Sequence, residues 1–189
     1  MKDDLHIIRP HGGYSNLLSY RGTQIVSDGN VVFCRRFVDP RSRTYDQMTQ
    51  ATRSAKQNIV EASQDSGRSA RTELKLLGVA RGSLEELLED YRDFLRRHNL
   101  PIWDKNDPRA VAIRRLAYHK NRSYAIYRRY IEDGDAETAA NTMICLIHQA
   151  SYLLDQQIRS VETKFREEGG VTERMLRVRR EARRRKEKK

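Results

Sequence analysis

Residues 140–165 read ANTMICLIHQASYLLDQQIRSVETKF. Ala140, Ile144, Ile147, Ser151, Leu154, Ile158, Val161 and Phe165 recur in steps that alternate four and three. This is the seam of a helix packed in a coiled-coil-like bundle, and a strand, whose faces repeat every second residue, cannot show it. Met143, Cys145, Leu146 and Leu153 fall off the seam. They predict a second apolar neighbour for the same helix, either an inserted helix or another subunit.

Upstream, Pro10, Pro40, Pro101 and Pro108 punctuate the chain and leave 41–100 and 109–189 free for long helices. A first helix is predicted from about Ser15 to Val38. Its apolar set is Leu18, Ile25, Val26, Val32, Phe33 and Phe37, and Gly22 and Gly29 would let a neighbour approach closely. The second helix starts near Thr44, where Thr44-x-x-Gln47 reads as a capping box, and stops near Gly67. The third begins near Ser69 and carries Leu74, Leu77, Leu84, Leu88, Tyr91 and Leu95, with Arg81 at the missing step and Gly78 and Gly82 beside it as a small-residue groove. Asp107-Pro108 is an N-cap followed by proline at the first helical position. It predicts a fourth helix over about 109–132, with Ile113, Leu116, Ala117, Tyr124, Tyr127 and Ile131 inward. Gly134-Asp135 restarts the chain, and Gly169-Gly170 closes the seam helix.

The fold predicted is all-α: an antiparallel up-down four-helix bundle, with an inserted fifth helix and a basic C-terminal helix or tail. The divisions are an arm over 1–13, the bundle over 14–168 with the insertion at about 107–132, and the tail over 169–189. Composition agrees. The chain has 189 residues, close to the size of one domain. Its apolar fraction is 38% and its charged fraction 33%. Four prolines and ten glycines are too few for a β-sandwich. No run approaches the ~20 apolar residues of a membrane span. The opening MKDDLHIIRPHGG lacks the apolar core of a signal peptide, and Cys34 and Cys145 form no CxxC, which together predict a reducing cytoplasm.

The net charge is +11, and it is concentrated. Residues 171–189 hold seven Arg, three Lys and three Glu, net +7. Residues 107–131 hold Arg109, Arg114, Arg115, Lys120, Arg122, Arg128 and Arg129 against Asp107, net +6. Arginine makes bidentate contacts with phosphate. The candidate nucleic-acid-binding residues are therefore Arg114, Arg115, Lys120, Arg122, Arg128 and Arg129, with Arg174, Arg177, Arg179, Arg180, Arg183, Arg184 and Arg185 of the tail. Tyr118, Tyr124, Tyr127 and Tyr130 interleave with the first group. They are either stacking surfaces for unpaired bases or core residues behind a solvated arginine face.

Catalytic and metal-binding patterns do not emerge. Among His6, His11, His98, His119 and His148 no two are four apart. Cys145 and His148 are three apart, but two ligands do not make a site. No GxSxG, P-loop or GxGxxG occurs. Glu85-Glu86 and Glu89-Asp90 read as a solvated or partner-binding acidic face. His148 with Asn58 and Glu61 is a candidate buried polar cluster that fixes helix register. Neither an enzyme nor a cofactor is expected.

The stretch from Gln50 to Leu87 resembles a known family: helical proteins encoded in intervening sequences of bacterial large-subunit ribosomal RNA genes. The matching residues are Arg53, Ser54, Asn58, Ile59 and Glu61 on the second helix, and Glu73, Ala80, Gly82, Ser83, Glu86 and Leu87 on the third. The chain is more similar still to the subgroup of four helix bundle suffix proteins, through His11–Tyr14, Arg43–Met48 and Leu146–Gln157. The resemblance implies a four-helix up-down bundle in a ring-shaped homopentamer. It marks Arg53, Asn58, Glu61, Glu73, Gly82, Ser83 and Glu86 as structural motif residues. The wider family includes the accessory variability protein of diversity-generating retroelements, which is basic and binds nucleic acid and a reverse transcriptase. The family's glycine after Glu-Ala is Ser63 here, and 99–134 and 169–189 read as additions. The function expected is a non-enzymatic RNA- or DNA-binding adaptor with little sequence preference, acting beside a possible protein partner. The alternative is a protein–protein scaffold without nucleic-acid contact.

Overall fold

The computed structural model describes Ile8, residues 11–120 and residues 122–187. Most of the expected arm over 1–13 falls outside the described residues, as do His6, Pro10, Asn121, Lys188 and Lys189. All regular structure among the described residues is helical: α1 (Leu18–Phe37), α2 (Arg43–Asp65), α3 (Ala70–Arg97), α4 (Pro108–Arg115), α5 (Ala136–Glu168) and α6 (Val171–Glu187), with short 3-10 and π turns between. None of these helices is long and apolar enough to cross a membrane.

Side-chain caps start four of the helices. Ser69 accepts from the Thr72 amide, Asp107 from Arg109 and Asp135 from Thr138. On α2 the cap is Ser42, which accepts from the Tyr45 amide, so the helix starts ahead of the capping box expected at Thr44. Gly169 ends α5 at φ 71°, where a side chain would be strained.

α1 lies against α2 and α5, α2 against α3, and α3 against α5. α1 and α5 run in opposite directions. Near the start of α1, Ser19 meets Gln157 late in α5, whereas Arg36, near its end, donates to the carbonyls of Ile131 and Gly134 just before α5. Gly29 allows that closeness, because a methyl group there would stand 2.7 Å from Met143 Sδ. Arg81, the missing step of the leucine stripe, pairs with Glu85 (2.7 Å) and reaches across to Asp155 on α5 (3.2 Å). Inside, Tyr91 donates to Asn30 Oδ1 (2.8 Å) and Asn30 donates to the Met48 carbonyl (3.2 Å), tying α1, α2 and α3 together. The α5 seam is buried from Ala140 to Leu154, half-buried at Ile158 and Val161, and exposed at Phe165.

The helix expected over 109–132 is not continuous. α4 ends at Arg115; 3-10 turns follow at Leu116–Tyr118 and Tyr124–Ile126, then a π turn at Arg129–Asp133. The sequence between, His119-Lys-Asn-Arg-Ser123, offers no apolar residue to hold a helix face against the body, and Asn and Ser favour local turns. The segment still buries Ala110, Ile113, Tyr127 and Ile131. α4 and the π turn pack against α5. Of the four residues off its seam, Met143, Cys145 and Leu146 are buried, and Leu153 is half-buried at the edge of a groove.

The motif residues divide. Ser83 is buried, with its hydroxyl 2.9 Å from that of Ser54, and Asn58 donates to the Ser54 carbonyl at 2.8 Å. Glu73 is buried, and burial pushes its carboxyl above the usual range, with the nearby Lys164 charge opposing. Arg53, Glu61, Gly82 and Glu86 are exposed. Gly78 and Gly82 face open space, so the small-residue groove expected on α3 receives no neighbour among the described residues. The polar cluster expected from His148, Asn58 and Glu61 does not form. His148 sits on α5 beside the charges of Glu85, Arg92 and Arg81, while Glu61 accepts from Gln57 on the outside of α2.

Candidate nucleic-acid interface

A groove of about 760 Å³ lies between α1, the end of α4 with its following turn, and α5. Helical spacing builds each wall. Leu18, Arg21 and Ile25 come from α1 at steps of three and four. Cys145, His148, Gln149, Tyr152 and Leu153 form one face of α5. Val111, Arg114, Arg115, Ala117, Tyr118, His119, Lys120 and Arg122 come from the segment laid over both. Gly22 makes the crossing possible: a Cβ there would stand 3.1 Å from the Arg122 guanidinium and 3.3 Å from Leu153.

The walls carry Arg21, Arg114, Arg115, Lys120 and Arg122 and no carboxylate. None of these five forms an ion pair among the described residues; Arg21 donates to the Ser15 carbonyl (2.8 Å) and Arg114 to that of Lys105. Cations that no carboxylate neutralises raise the local concentration of anions. His148 adds no charge at neutral pH. Burial, then Arg92 and Arg81, hold its pKa below the usual value, with Glu85 opposing. The Cys145 thiol is pushed up to about 11, chiefly by burial, and stays protonated.

The expected cations are thereby sorted. Arg114, Arg115, Lys120 and Arg122 line the groove. Arg109 is tied to Asp107 (2.8 Å) and Glu137 (2.9 Å) and lies over Trp103. Arg128 pairs with Glu132 (3.3 Å), and Arg129 covers the Tyr130 ring. The tyrosines sort in the same way. Tyr127 is fully buried, and Tyr124, half-buried, donates to Glu132 (3.1 Å). Tyr118 is 91% exposed at the groove. Arg21 and Tyr152, the latter 63% exposed, join the site from helices outside the basic segments, and no charge count along the sequence points to them.

The second basic surface is α6. Its arginines, Arg174, Arg177, Arg179, Arg180, Arg183, Arg184 and Arg185, stand on one regular helix that buries none of its residues. Arg174 is half-buried where α6 meets the end of α5, and the others are exposed. Among the described residues no group of three or more His, Cys, Asp or Glu is placed to hold a metal ion. Comparison of the chain with protein-family models, with curated proteins and with solved structures gave no match.

Proposed function

We propose that this protein is a non-enzymatic nucleic-acid-binding adaptor with little sequence preference. It engages phosphates through the groove and through α6. The observation that carries the reading is the groove itself: five cations, no carboxylate, and two exposed tyrosines in one concave surface. α6 adds a helical ladder of arginines that follows a phosphate backbone without reading bases. In the same reading α1, α2, α3 and α5 form the antiparallel up-down four-helix bundle of the ribosomal intervening-sequence family. Their cyclic contacts support this. The homopentamer rests on the family resemblance. A cytoplasmic setting is supported by two free, buried thiols.

A protein–protein scaffold is the second reading. It is favoured by an open groove between α2 and α3 lined by Glu85, Glu86, Glu89 and Asp90. The deciding experiment is a salt titration of binding to labelled single-stranded RNA, single-stranded DNA and duplex. Nucleic-acid binding predicts that log affinity falls linearly with log salt, with a slope that counts the phosphates engaged. Absence of binding at ~100 mM salt, where the Debye length is ~10 Å, leaves the scaffold reading in its place.

A further inference from the structure

We infer that the groove between α1, α4 and α5 seats an unpaired nucleotide of a single strand. Its base lies on Tyr118 and Tyr152, and its phosphate on Arg115, Lys120 and Arg122. The inference rests on the nucleic-acid reading above and narrows it to single-stranded ligand.

Three observations converge. First, Tyr118 and Tyr152 are 91% and 63% exposed, and among the described residues neither ring contacts another ring or a guanidinium. The other tyrosines of the same segment are occupied: Tyr127 by the core, Tyr124 by Glu132 and Tyr130 by Arg129. Only an unpaired base presents a free face to such a ring, because a duplex keeps its base faces stacked. Second, the space of about 760 Å³ is of the size that encloses a small organic ligand, and one nucleotide fits it. Leu18, 63% exposed on the α1 wall, supplies apolar contact. Third, Gln149 lines the groove with both amide atoms buried and without a hydrogen-bond partner. A side-chain rotation toward the groove would pair that donor and acceptor with a base edge, which carries both kinds of group. The cations are on the same segment as Tyr118, within a few residues, as a phosphate next to its own base requires.

The test compares three ligands of equal length at ~100 mM salt: an intact single strand, the same backbone with its central nucleotides abasic, and the duplex. Each is made in RNA and in DNA, and each is titrated with the full chain and with the Tyr118→Ala/Tyr152→Ala double variant. Both tyrosines are exposed, and a melting curve checks that the variant is folded. The intact strand is expected to bind about tenfold tighter than the abasic one. The double variant should erase that difference while leaving duplex affinity within about twofold. Whichever sugar gives the larger intact-to-abasic ratio names the source of the nucleotide. Equal affinity for intact and abasic strands, or a parallel loss of duplex binding in the double variant, overturns the inference and leaves general phosphate binding standing. No salt-dependent binding to any ligand overturns both.

Discussion

Gln149 and Thr142 both hold buried polar atoms without a partner, and they separate a functional cost from an incidental one. Leaving such a group unpaired costs about 1–3 kcal/mol. Thr142→Val and Gln149→Leu are therefore both expected to raise the melting temperature, by about 2–4 °C per kcal/mol recovered. Only Gln149→Leu should weaken single-strand binding, which scanning calorimetry and a binding curve together would show. Glu73 gives a signed pH test. Its folded-state pKa lies above the ordinary glutamate value of 4.5, mainly through burial. The folded state therefore takes up this proton first as pH falls, and the stability cost of the buried carboxylate fades toward pH 4.5. Glu73→Gln has no such proton. The urea-unfolding free energy of the wild type minus that of the variant should be larger at pH 5 than at pH 7, and an unchanging difference would refute the assignment. At this scale the sequence showed residue types and little of their surroundings. Arg109 and Arg115 read alike until Asp107 and Glu137 are found on one and, among the described residues, no carboxylate on the other.

Among the elements, legibility followed periodicity. The α5 seam, the α3 stripe and the caps at Ser69 and Asp107 are local patterns, and each helix forms where its pattern lies. Over 116–132 the apolar spacing of Leu116, Tyr124, Tyr127 and Ile131 reads as helix, but the chain between them turns through 3-10 and π geometry. Asn30 was invisible as a core residue, since its partners Tyr91 and Met48 come from two other helices. Tyr91→Phe removes the shortest of those bonds and should cost about 1–2 kcal/mol in a denaturation experiment; a smaller loss than ~0.5 kcal/mol would deny the link a structural role. α6 is the element with charge and no burial. Deleting 171–189 should leave the melting transition of the body unchanged and lower the steepness of the salt dependence. Equal binding by the truncated chain at ~100 mM salt would remove α6 from the interface.

At the scale of the molecule, folding gathers what the sequence scatters. The groove draws on α1, α4 and α5, and the charge that looked like two linear segments becomes one concave surface and one extended helix. The oligomeric state is a question for solution measurement. Met143, Cys145 and Leu146 are buried within one chain, while Leu153 stays half-buried at the groove. Light scattering coupled to size exclusion measures the assembly directly. A mass of five chains supports the pentamer, and a single species at 22.2 kDa across a hundredfold dilution ends it. The central claim is that nucleic acid lies in the groove and along α6. Ultraviolet cross-linking of a single-stranded oligonucleotide to the full chain at ~100 mM salt, with the attached peptides identified by mass spectrometry, tests it most directly. Adducts are expected on the peptides that contain Tyr118 and Tyr152 and on those of 174–185. Adducts confined to the acidic face around Glu85 and Glu89, or none above background, would contradict it.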